Sequence, residues 1–90
     1  MLKTMEADVG RSLREIPGIG RDMERHLNDL GFATVESLAG QDAEEMYRRE
    51  CIMKDEHVDR CVLYVYRLAV YYAENETHDP QKLKWWNWKD

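Results

Sequence analysis

Little in this chain is available to cross-link it, break it or hold it in a membrane. Cysteine occurs twice, at Cys51 and Cys61, and proline twice, at Pro17 and Pro80, with only five glycines among 90 residues. No apolar run approaches the length needed to cross a bilayer, so no membrane association is expected. No apolar segment follows a basic start, so no secretion signal is expected and the cytoplasm is the expected compartment. In that compartment the two cysteines stay reduced thiols. Positive charge is also short: 13 Lys and Arg against 18 Asp and Glu leave a net charge of −5. Strong non-specific nucleic-acid binding draws on many cations neutralising phosphates, so such binding here has to be local and weak. Nucleophile motifs, phosphate-binding lysine loops and acidic metal clusters are missing, so neither catalysis nor a cofactor is expected.

What is present is a small helical domain. Hydrophobic residues make up 43% and charged residues 34%, a balance that suits one domain over residues 1–90, built of helices with solvated faces and short connections. Its organising stretch is Ile16-Pro17-Gly18-Ile19-Gly20. Two glycines around an apolar residue permit a tight bend at a helix start, where backbone N–H groups point outward and form a phosphate-sized anion site. Val9, Leu13 and Ile16 before the bend and Met23, Leu27 and Leu30 after it follow helical spacing, the pattern of a helix-hairpin-helix. The bend either holds an anion or only turns the chain, with Ile19 tucked into the core.

Along the chain, Met1 to Glu6 has no pattern and reads as frayed. Asp8 is a candidate cap for a first helix to about Glu15. A second helix, Arg21 to Leu30, sets Arg21 and Arg25 one turn apart near the positive end of its dipole, where they suit phosphate contacts. Asp22 and Glu24 share that turn and would repel an anion. His26 reads as a surface histidine. Gly31 stops the helix. A short third helix covers Thr34 to Leu38, and a fourth starts at the Asp42 cap, with Glu45 in the capping-box position, and reaches Cys51. After a turn from Ile52 to Glu56, the most apolar run extends from His57 to about Asn75. Apolar on nearly all sides, it is central to the core or one face of a homodimer.

Asp79-Pro80 opens a closing segment with Leu83, Trp85, Trp86 and Trp88 interleaved with Lys82, Lys84 and Lys89. Such a pattern could stack on unpaired bases. Packing of the indoles back onto the tyrosine-rich long helix is the favoured alternative. Helix-turn-helix occurs twice, the second time around Ile52-Met53-Lys54-Asp55, where the missing glycine marks a degenerate hairpin. Cys51, His57 and Cys61 flank that turn, but without a C-x-x-C pair or a fourth ligand they read as thiols and a histidine rather than a zinc site.

IPGIG, LGFATVESLAGQDAEEMY, DRCVLYVYRLAVYYA and DPQKLKWWNWKD together resemble the pathogenicity locus family of small bacterial helix-hairpin-helix proteins, some of whose relatives are labelled mitomycin resistance proteins. The resemblance runs from Leu13 to Asp90. It implies an all-α, five-helix tandem helix-hairpin-helix (SAM-like) domain with a degenerate second hairpin and a Trp-rich C-terminal segment over residues 79–90. By position, the hairpin backbone is Gly18 to Gly20. Glu24 and Asp22 depart from the small and polar residues usual in the motif. The expected function is non-enzymatic, sequence-independent DNA binding through Pro17, Gly18, Ile19, Gly20, Arg21 and Arg25. The alternative is a protein-interaction or dimerisation module that has lost DNA binding.

Overall fold

In the computed structural model, which describes residues 10–90, every regular element is helical. Helix α1 spans Arg21–Asp29, α2 Ala43–Lys54 and α3 Arg60–Glu74, with 3-10 turns at Leu13–Glu15, Glu36–Leu38, Pro80–Leu83 and Trp85–Trp88. The one pairing of extended backbone among the described residues is an antiparallel bridge between Ser12 and Thr34. Five helices are thus corrected to three. Among the described residues before the glycine bend there is a single 3-10 turn. Ser12 Oγ accepts from the Arg14 amide at its start, and Pro17 disfavours helical backbone at Ile16, which is extended at φ −78°, ψ 125°. The expected fraying of Met1 to Glu6 and the cap at Asp8 lie outside the described residues. The expected third helix contracts to Glu36–Leu38 because Thr34 is held in extended pairing with Ser12; Thr34 Oγ1 accepts from Ser37 N and Ser37 Oγ donates to the Thr34 carbonyl at 2.6 Å, capping the short turn that follows.

α1 closes as glycine chemistry requires. Gly31 has φ +97°, Phe32 N donates to Leu27 O at 2.9 Å and Gly31 N to Asn28 O at 2.9 Å. The last carbonyls are thereby satisfied and Phe32 turns into the core. α2 opens at Asp42, whose Oδ1 accepts from the amides of Glu44 and Glu45 at 2.9 and 3.3 Å. Glu45 pairs with Arg48 in the next turn, not with the cap backbone. The helix runs on to Lys54, absorbing most of the expected second turn, and ends at Asp55 in the left-handed region (φ 51°, ψ 47°).

α3 starts at Arg60, capped by Asp59, whose side chain accepts from Cys61 N. Val62, Leu63, Val65, Tyr66, Leu68, Ala69 and Val70 are all buried. Valine and tyrosine are indifferent helix formers, so burial rather than propensity sustains this helix. Its cover comes from α2, the Glu36–Leu38 turn and the closing segment. Trp85 and Trp88 pack against the core. Trp88 lies 5.6 Å from the Tyr71 ring, with Nε1 donating to Lys82 O at 2.8 Å. Two of the three indoles therefore fold back as expected; Trp86 remains 51% exposed.

Candidate functional site

The glycine bend joins the Leu13–Glu15 turn to α1. Ile19 N donates to Ile16 O at 3.1 Å, closing a turn in which Gly18 takes φ +91°, a conformation that side chains rarely adopt. Ile19 is 5% exposed and anchors the bend in the core, so only its backbone can meet a ligand. Pro17, Gly18 and Gly20 are exposed. Gly20 is the N-cap of α1, with no side-chain cap, and the first helical bond runs from Glu24 N to Gly20 O at 3.0 Å. Among the described residues the amides of Gly18, Gly20, Arg21, Asp22 and Met23 donate to no acceptor.

The carboxylates of the first turn do not close over those amides. Asp22 Oδ1 pairs with Arg25 at 3.0 Å and Glu24 Oε1 with Arg14 at 2.8 Å, so each is answered by a neighbouring arginine. Arg21 and Arg25, equivalent by spacing, are thereby separated in role: Arg25 serves Asp22, whereas Arg21 is exposed and has no ion pair among the described residues. Across the bend stands the closing segment. A Cβ placed on Gly18 would lie 3.7 Å from Trp85 Cδ1, and Trp86 packs edge-on against Trp85 at 5.8 Å.

Cys51, His57 and Cys61 are not brought together as ligands. Among the described residues no three His, Cys, Asp or Glu side chains are arranged to hold an ion, and both cysteines are free, Cys51 half-buried and Cys61 exposed. Tyr47, Cys51, His57, Arg60 and Leu63 instead line an open cleft of about 520 Å³ between α2 and α3. Beside Cys51, Ile52 is 73% and Met53 51% exposed.

One constellation escapes the sequence. Glu50 is fully buried, alone among the charged side chains of the described residues. Lys54 Nζ lies 2.6 Å and His26 Nδ1 2.5 Å from Glu50 Oε2, Tyr66 OH donates to Oε1, and Lys54 also meets Asp29 at 3.0 Å. His26 is thus no free surface histidine. Burial raises the Glu50 pKa, but the hydrogen bonds from Lys54, Tyr66 and His26 outweigh it and leave the carboxyl below its ordinary value. The Glu50 hydrogen bond in turn raises Lys54. The signal that could have found this is position: Ala43, Met46, Tyr47 and Glu50 share one face of α2. The network joins all three helices around a carboxylate that is itself wholly buried, so it is structural in geometry.

Comparison with curated proteins and with solved structures gives no match. The family model described as Pathogenicity locus, in contrast, matches residues 6–90, which takes in the bend, all three helices and the tryptophan segment, and the chain belongs to that family.

Proposed function

We propose that this chain is a non-enzymatic helix-hairpin-helix module that contacts nucleic-acid backbone without sequence preference. Residues 13–30 form its first hairpin, and the shorter turn at Asp55 is a degenerate second one. What carries the reading is the row of unengaged amides from Gly20 to Met23 at the start of α1, where the helix dipole favours an anion. Pro17 and Ile19 hold the bend, Gly18 and Gly20 let a phosphate approach, and Arg21 supplies charge. Arg25 acts indirectly, by engaging Asp22. Few cations take part, so affinity is modest and the salt dependence shallow.

Anisotropy of a labelled duplex at low salt tests this. A Cβ on Gly20 meets nothing within 4 Å, so Gly20→Val folds and screens the amides; it should weaken binding about tenfold or more, and unchanged affinity would exclude the bend as the site. A second reading, a protein-interaction or dimerisation module, is favoured by the adjoining exposed Ile52 and Met53. Light scattering separates the two: a dimer that Ile52→Glu disperses, with no affinity for DNA, supports the second.

A further inference from the structure

Cations on this acidic chain are mostly occupied. Among the described residues, Arg11, Arg14, Arg25, Arg48, Lys54, Arg60 and Arg67 each pair with a carboxylate. Arg49 donates to the Leu30 carbonyl and sits over the Phe32 ring, and Lys82 lies 5.4 Å from the centre of the Tyr71 ring. Arg21, Lys84 and Lys89 have no such partner among the described residues. Lys84 directly precedes the Trp85-Trp86 pair, and Trp85 is the member that stands against Gly18, three residues before Arg21. Trp86 is the one indole whose ring is half exposed. It is held edge-on against Trp85 at 5.8 Å with the planes 86° apart, so its position is fixed although its surface is wet.

We infer that Trp86, with Lys84 beside it, is a stacking platform for an unpaired base, and that the ligand of this face is single-stranded DNA. The inference rests on the bend as a phosphate seat and names the substrate of that seat. A duplex keeps its bases stacked and offers an indole nothing but its ends, whereas a single strand presents a π-face with every nucleotide. Phosphate at the bend and base on Trp86 are neighbouring contacts of the same strand. Charge and aromatic surface coincide there, while most of the other cations among the described residues are engaged elsewhere.

Anisotropy with labelled oligo-dT of about 12 nucleotides, compared with a duplex of equal length at low salt, tests the inference. The single strand should bind at least about tenfold more tightly. Trp86→Ala should lose about 5- to 100-fold in affinity for the single strand, with Trp86→Phe restoring most of it and the melting temperature of both variants near that of the parent. Duplex binding as tight as single-strand binding, or affinity untouched by Trp86→Ala, overturns the platform. If Gly20→Val abolishes binding while Trp86→Ala does not, the platform fails and the phosphate seat survives. If Trp86→Ala abolishes it while Gly20→Val does not, the platform stands without the bend. Binding of neither nucleic acid removes both.

Discussion

A carboxylate inside a hydrophobic core stays ionised only where donors surround it, and Glu50 has three: Lys54, His26 and Tyr66. Removing it strands Lys54 and His26 beside a void. Glu50→Ala should therefore cost about 3–5 kcal/mol, the usual consequence of breaking a buried pair from one side, and lower the melting temperature by about 10 °C or more. Because its folded-state pKa is depressed, its contribution is complete above the unfolded value of about 4.3 and is lost as the pH falls from there toward the folded value. The groups facing it are His26 and Asp29 from α1, Lys54 from its own helix and Tyr66 from α3. Urea titrations from pH 7 down to about 3.5 should show a steeper acid loss in the parent than in Glu50→Gln; parallel curves would count against an ionised Glu50. Its place on the buried face of α2 and Lys54 four residues on were local signals, but the His26 and Tyr66 partners that complete its shell lie 24 and 16 positions away. Arg21 and Arg25 teach the same lesson on the surface: their spacing makes them alike, and only the choice of Asp22 for Arg25 distinguishes them.

Helix ends were the most legible elements because their chemistry is local. Gly31 and Asp42 perform the roles their types and positions suggest, and Asp79 caps the Pro80 turn. Helix lengths were less legible. The first helix is reduced, among the described residues, to a 3-10 turn because Ser12 is held in extended pairing with Thr34, and α2 extended because Asp55 accepts a left-handed backbone that glycine takes elsewhere among the described residues. That contrast can be measured. α1 and α2 end in the same hydrogen-bond pattern, Phe32 N to Leu27 O and Glu56 N to Cys51 O, one with glycine and one with aspartate. Gly31→Ala should destabilise by about 1–2 kcal/mol, whereas Asp55→Gly should be neutral or stabilise by up to about 1 kcal/mol. Denaturant unfolding of the two variants checks the opposite signs; a loss in both would show that the Asp55 carboxylate has a role beyond its backbone.

In the whole molecule, α3 is the axis, and the closing segment lies along it, so that the tryptophans divide their labour. Trp88 is packed on Tyr71 and bonded to Lys82 O; its replacement by alanine should cost about 2–3 kcal/mol, less than a fully buried indole. Trp86→Ala should change stability by no more than about 0.5 kcal/mol, as an exposed side chain does. Thermal melts of the pair measure the division, and equal losses would refute it. The fold-back was legible in the aromatic content of both segments, but which indole stays outside depends on the course of two 3-10 turns that no periodicity encodes. The contact of Trp85 with Gly18 also equips the protein with an intrinsic optical probe. Whatever settles at the bend changes the polarity around a neighbouring indole, so occupancy is readable in the ultraviolet emission of the unlabelled chain, and Trp88→Phe would darken the background without dimming that signal.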